Sequence, residues 1–275
     1  MSDGQEMTSK ETIQHWWDGD LDGFHEFEDY RIPVALIMKT GAGPTVFEQI
    51  AQGHKIALEK WIGIEPHHDV FEIGCGIGRD AMWLSKVLTS GSYTGVDIIA
   101  DSIDWCRLNI SKKHSNFSFF HFDVADSLHN PNGKMPVDCF RFPRPDNSVD
   151  RIFAFSVFTH MYADQIEHYL AECARILRPG GRAFLTIFLY NDAVLESAAR
   201  HANTVFDLKF ETEIEPGCRI NNPAEPLGAI AFTFDRIDPL IAKAGLKHAR
   251  APLHGLWSGH YSDPDDGQDV LLLEK

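Results

Sequence analysis

The stretch Val70-Phe-Glu-Ile-Gly-Cys-Gly-Ile-Gly-Arg-Asp80 decides the fold. Its first half continues a short apolar run, Asp69 to Ile73, of the length and character of a buried strand. Its second half places Gly74, Gly76 and Gly78 at the turn into a helix, where Ile77, Ala81, Leu84 and Leu88 recur at near-helical spacing. Glycine tolerates positive φ and lets a ligand come close to the backbone. In open α/β sheets the crevice beyond the carboxyl ends of the strands is where ligands bind. A strand–glycine turn–helix unit is therefore both a fold signal and a site signal.

Outward from this unit the chain alternates. Ser92 to Val96 reads as a strand closed by Asp97, and Ser102 to Lys113 as a helix buried through Ile103, Cys106 and Ile110. Phe117 to Phe122 alternates as a strand and ends at Asp123, and a Pro/Asn/Gly-rich loop spans Asp126 to Asn147. Val149 to Phe155 is the next strand. The following helix is lined by Ile166, Leu170, Cys173 and Leu177, with Asp164 and Glu167 as its expected capping pair and Pro179-Gly180-Gly181 as its stop. Strands are expected at Arg182 to Leu189, 247–253 and Gln268 to Leu273, and a helix at 235–244. The last two strands are too close for a crossover helix and should pair as antiparallel neighbours. The pattern predicts an α/β, Rossmann-like, seven-stranded and mostly parallel sheet, with the last strand antiparallel and helices on both faces. Residues 1–60 are expected to be an N-terminal tail and helical lid ending in a helix over about 46–61. Residues 61–275 are expected to form the main domain, with a substrate-side insert at 191–231 after strand five. Within that insert Glu211-Thr-Glu213-Ile-Glu215 reads as a solvated acidic stretch.

The glycine spacing is GxGxG, not the GxGxxG of dinucleotide-binding turns, and Asp80 in the first helical turn would repel a pyrophosphate. A cofactor without phosphates, bearing an amino acid and a sulfonium, suits the loop better, and Glu72 just before it can meet a positive charge. Asp97 lies 19 residues after Gly78, where a strand-end carboxylate can accept both hydroxyls of a ribose. Asp123, at the end of the third strand, is placed to meet an adenine amino group. Each acid alone has a plainer reading as a solvated strand end.

These segments together resemble the class I S-adenosylmethionine-dependent methyltransferases. Phe71-Glu-Ile-Gly-Cys-Gly-Ile-Gly78 resembles their first motif, and Tyr93-Thr-Gly-Val-Asp97 the second-strand acid motif. Phe122-Asp123-Val124-Ala125-Asp126 resembles the adenine-side motif. Phe142-Pro143-Arg-Pro145-Asp146-Asn-Ser148-Val-Asp150, with Phe155-Ser156-Val157-Phe158-Thr159-His160-Met161, resembles the fourth-strand region. Ile176-Leu177-Arg178-Pro179-Gly180-Gly181 resembles the stretch before strand five. The resemblance implies S-adenosyl-L-methionine as cofactor, with Gly74, Cys75, Gly76 and Gly78 along its methionine part. It also implies Asp97 on the ribose, Ile98, Asp123 and Val124 around adenine, and Phe155 and Ser156 near the sulfonium. The fourth-strand segment lacks the Asn/Asp-Pro-Pro-Tyr/Phe signature of enzymes that methylate amino groups of nucleobases and glutamine, which disfavours such acceptors.

Composition narrows the acceptor class. The 275 residues carry a formal net charge of −15, and Lys112-Lys113 is the single adjacent basic pair. A nucleic-acid partner is therefore not expected. No apolar run approaches a membrane span, so no membrane association is expected. The five cysteines are odd in number and lack CxxC spacing, which reads as reduced thiols and a cytoplasmic location. The 14 histidines are scattered without HxH or HxxxH pairs, so no metal is expected. Methyl transfer needs a base only where the acceptor must lose a proton. The candidate bases are His254 and His160. Tyr190, Trp257 and His260 are candidate acceptor contacts, with Trp16, Trp17, Phe206 and Phe210 as further lid aromatics. The expected partner is a small-molecule substrate methylated on a hydroxyl oxygen, with nitrogen or carbon as the other acceptors and a silent cofactor-binding scaffold as the rival from another class.

Overall fold

The computed structural model describes residues 20–137, 139–201 and 207–275. The chain enters through a hairpin, β1 (Phe24–Phe27) and β2 (Tyr30–Pro33), followed by α1 (Val34–Met38) and α2 (Pro44–Trp61). β3 (Asp69–Ile73) then lies at the centre of the sheet, between β4 (Ser92–Asp97) and β6 (Val149–Ala154), parallel to both. β5 (Phe117–His121) extends the sheet beyond β4, and β7 (Leu177–Tyr190) beyond β6. β12 (Asp269–Glu274) runs antiparallel along β7, from Asp269 opposite Ile187 to Glu274 opposite Arg182, and carries β11 (Lys247–His248) on its far side. The order β5-β4-β3-β6-β7-β12-β11 is the expected seven-stranded arrangement with one reversed strand.

The sheet has ten strands, not seven. The insert opens with α6 (Asp192–Arg200) and supplies the other three: β8 (Thr212–Glu215), β9 (Cys218–Ile220) and β10 (Ile230–Thr233). They form a meander whose β10 pairs with the overhanging end of β7, Phe188 to Tyr190. β7 can carry them because it is 14 residues long and outruns β6. The helical lid is also corrected, since the described N-terminal segment begins as a β-hairpin before its helices. That segment is packed down: Tyr30, Ile32, Ile37, Phe47 and Leu58 share one core with Val70, Ile77 and Met82.

Alternation along the central strands sorts the two cores. Phe71, Ile73, Ile152, Ala154 and Leu185 face α5 (Ala163–Ile176) and α7 (Phe234–Ala244), while Val70, Phe153 and Phe184 face α2, α3 (Arg79–Leu84) and α4 (Ala100–Cys106). Each fully buried aromatic or aliphatic side chain contributes about 1.5–3 kcal/mol, so both covers are needed for the parallel strands to hold. Three local expectations change. α5 is closed at its start by Gln165, whose Oε1 accepts from Tyr162 N at 2.9 Å; Glu167 instead pairs with Lys243 of α7. The helix after β4 is α only to Cys106 and widens to a π turn over Arg107–Ser111. Of the strand expected over 247–253, only Lys247–His248 forms, with an isolated bridge from Leu253 to Val270.

Candidate active site

β3 and its neighbours create the crevice. The chain leaves β3 toward β4 on one side and returns as β6 on the other, so the glycine loop sits at the topological switch point. Gly74, Gly76 and Gly78 all hold left-handed backbone, with φ of 74°, 50° and 76°. A side chain at Gly74 would run into Val157 of the turn after β6, and one at Gly78 would meet Ile110 Cδ1 at 2.7 Å. The loop is tied to β4 from below, as Gly74 N and Cys75 N donate to the Val96 carbonyl at 2.8 and 3.0 Å.

Asp97 ends β4 directly beside this loop. One of its oxygens accepts from Gly76 N at 2.6 Å and the other from Ile99 N at 2.8 Å. A carboxylate offers about four acceptor positions, so about two remain for a ligand. Burial pushes the Asp97 carboxyl up, against the pull of those N–H groups. Ile98 is half-buried next to it. Asp123 follows β5 and accepts from the Asn130 side chain at 3.2 Å, and Val124 is buried beside it. The cofactor-side residues of the sequence thus come together on the ends of three adjacent strands, β3, β4 and β5.

Glu72 does not reach that crevice rim. It is buried on the α2–α3 side and accepts from the Tyr93 hydroxyl; burial and the nearby Asp80 push its carboxyl well above the usual range. Cys75 is buried, with its thiol pushed far up by desolvation. Arg79 opens α3 half-buried, its guanidinium 5.4 Å from the Phe47 ring, and its buried Nε and Nη1 have no hydrogen-bond partner among the described residues. A buried donor pair left unmatched costs about 1–3 kcal/mol per group, which a ligand carboxylate would recover.

Ser156 has φ of 55°, its N–H bonds Thr186 Oγ1 at 2.7 Å, and its hydroxyl accepts from Gln268 Nε2 at 2.9 Å. Phe155, beside it, lies flat against His54 of α2, with ring centroids 3.5 Å apart and planes within 3°. His54 Nδ1 is 2.8 Å from Asp80 Oδ2. Sequence reading missed this pair because its members are 26 residues apart in no local motif. One signal did exist: Phe47, Ala51, His54 and Leu58 fall on one helical stripe, and the other three are buried.

The substrate-side candidates divide. His254 is exposed on the last loop and stacks on Tyr261 at 3.7 Å, with His260 edge-on to the same ring. His160 sits in a 3₁₀ turn with Nδ1 bonded to the Leu227 carbonyl at 2.7 Å, and burial lowers its affinity for a proton. Trp257 is buried, and its N–H bonds Asp269 at 2.7 Å; Asp269 also accepts from Leu189 N and Gly255 N, each at 2.8 Å. Trp257 is thereby a strut tying the last loop to β7, within a core that includes Phe188, Tyr190 and Phe210. Trp16, Trp17 and Phe206 lie outside the described residues. No helix of the described residues is long and apolar enough to cross a membrane.

Known proteins resemble this chain in the same region. The model of the methyltransferase domain family matches residues 71–185, from within β3 into β7. A fatty-acid O-methyltransferase of Mycolicibacterium smegmatis is 32% identical over 126 residues, covering 45% of this chain and 36% of that protein. A sterol 24-C-methyltransferase of Neurospora crassa is 26% identical over 175 residues, covering 64% of this chain and 41% of that one. The chain therefore spans less than half the length of these relatives. Among solved structures, a protein of Pyrococcus horikoshii shares the fold with a TM-score of 0.52 at 14% identity, covering 83% of this chain and 90% of that one. Motif, strand order and family match agree: residues 71–185 match the methyltransferase domain family and resemble the class I S-adenosylmethionine-dependent methyltransferases, whose cofactor is S-adenosylmethionine.

Proposed function

We propose that the chain methylates a small, largely apolar molecule, most readily on oxygen. The observation that carries the cofactor half is the Asp97 carboxylate beside three left-handed glycines, with Arg79 unmatched behind them. Bound there, S-adenosylmethionine would supply an electrophilic methyl group on a sulfonium. Asp97 would take the ribose hydroxyls with its remaining lone pairs, and Ile98, Asp123 and Val124 would border the adenine. Arg79 would neutralise the cofactor carboxylate. Asp97 beside the loop and Asp80 in the first turn of α3 are buried acids that oppose a pyrophosphate there.

Support for oxygen comes from the likeness to the fatty-acid O-methyltransferase and from the polar pair Ser156–Gln268, whose serine is next in the chain to Val157 on the glycine loop. The likeness to a sterol 24-C-methyltransferase favours a second reading, methyl transfer to an alkene carbon. Labelled methyl transfer from S-adenosylmethionine to hexadecanoic acid, hexadecanol and a sterol with an unsaturated side chain separates these. Label recovered as an ester or ether supports the oxygen reading. Label on the sterol carbon selects the second.

A further inference from the structure

His54 occupies a place on α2 where a core residue belongs, and it is the polar member of an otherwise apolar stripe. Two contacts fix its ring. One face lies on Phe155, and Nδ1 meets Asp80 Oδ2. Asp80 is itself held, since its other oxygen accepts from Trp83 Nε1 at 3.0 Å. Burial alone would raise the Asp80 carboxyl, but His54, Arg79 and Trp83 together bring it below its ordinary value, so it is the anion. An anion only accepts, so Nδ1 carries hydrogen, and in the neutral ring the lone pair is on Nε2. Nε2 has no hydrogen-bond partner among the described residues.

The position is the right one for chemistry. Phe155 and Ser156 close β6, and the next residue, Val157, packs on Gly74 of the glycine loop. The His54 ring is therefore stacked on Phe155, two residues along the chain from the side chain that meets the glycine loop, on the face shared by α2 and α3. The charged groups around it are Asp80 and its neighbour Arg79 of α3, Asp266 of the loop before β12, and Lys55, next to it on its own helix.

We propose that His54, oriented by Asp80, takes the proton of a hydroxyl acceptor during methyl transfer. This rests on the methyltransferase reading. As the acceptor oxygen closes on the methyl carbon, the O–C bond forms and the C–S bond breaks, its electron pair going to sulfur. The hydroxyl proton passes to Nε2. The resulting imidazolium is stabilised by the Asp80 carboxylate and later gives its proton to water. A carboxylate acceptor has no such proton and needs no such base.

The test follows the titration of His54 by NMR in two complexes, with S-adenosylhomocysteine and with sinefungin, whose amine replaces the methylated sulfur. His54→Gln identifies the signal. If Nε2 faces the methyl position, the neutral ring is the Nδ1–H tautomer, and its pKa is lower with sinefungin by about one unit. That is the effect of a unit charge about 6 Å away at an effective dielectric of about 40. Equal pKa values in both complexes, or an Nε2–H tautomer, overturn the proposal and leave His54 as a strut between α2 and α3. Failure of both ligands to bind is a different failure. It removes the cofactor reading, and the proposal with it.

Discussion

The two sides of the crevice are built differently. The cofactor side is made of consecutive strand ends: Gly74 to Gly78 after β3, Asp97 after β4 and Asp123 after β5. Its key acid is held by the backbone, Asp97 accepting from Gly76 N and Ile99 N. The proposed acceptor side draws on distant segments: His54 from α2, Phe155 and Ser156 from the turn after β6, and His254, Tyr261 and Gln268 from the last loop. Backbone-anchored groups hold the same position whatever their neighbours. Groups that meet side chain to side chain across 100 residues can be replaced piecemeal, so this half can vary in acceptor while the other keeps its cofactor.

The largest effect is expected at Asp97. Asp97→Ala removes every ligand bond to that carboxylate. Hydrogen bonds to a charged group contribute about 1.5–3 kcal/mol each, so the affinity for S-adenosylmethionine should fall at least about 100-fold, with the circular dichroism spectrum retained. Undiminished affinity would remove the ribose assignment. On the acceptor side, His54→Gln should lower turnover of a hydroxyl acceptor about 100-fold while leaving cofactor affinity within about two-fold, the range of a lost general base. An equal loss with a carboxylate acceptor would mean that the residue positions the site and moves no proton.

A smaller effect is expected at Gly74. Alanine there must adopt φ of 74°, a cost of about 1–2 kcal/mol, and must also displace Val157. Gly74→Ala should therefore reduce stability to urea by at least that amount and loosen cofactor binding. Gly180→Ala, with φ of 79° but open space around it, supplies the strain-only control.

Burial of Asp97 also has a pH signature. Its folded pKa lies above the ordinary 3.8, so the folded state favours the protonated form. Below 3.8 both states are protonated and nothing is lost. As pH rises above 3.8 the unfolded chain ionises first, and this group's contribution to stability declines until the folded pKa is passed. Melting curves of the wild type against Asp97→Asn should show the difference moving in the variant's favour as pH rises from 4. A difference independent of pH contradicts the assigned burial cost. The smallest change belongs to His254→Ala. The residue is exposed and touches chiefly Tyr261, so stability should shift by no more than about 0.5 kcal/mol, with any loss confined to turnover.

The two halves were also unequally legible in sequence. Gly74, Gly76, Gly78, Asp97 and Asp123 are marked by their distance from strand ends, and strand ends follow from apolar periodicity. His54 and Asp80 acquire meaning only when α2 packs over α3, and Asp80 on its own argued merely against a phosphate ligand. Trp257 reads as a pocket aromatic until β12 brings Asp269 to its N–H. Thr212–Glu215 reads as solvated and is exposed, yet it is the edge strand of the added meander, where solvent replaces a neighbour and removes the apolar signal. Pairing across the insert, like the pairing of His54 with Asp80, is a long-range event that local composition does not encode.

The central claim is that the glycine loop and Asp97 form a site for a sulfonium cofactor and not for a dinucleotide. Calorimetric titration of the full chain with S-adenosylmethionine, S-adenosylhomocysteine and NAD tests it most directly. The first two should bind in the micromolar range and NAD should not bind. Binding of NAD alone, or of none of the three, would contradict it.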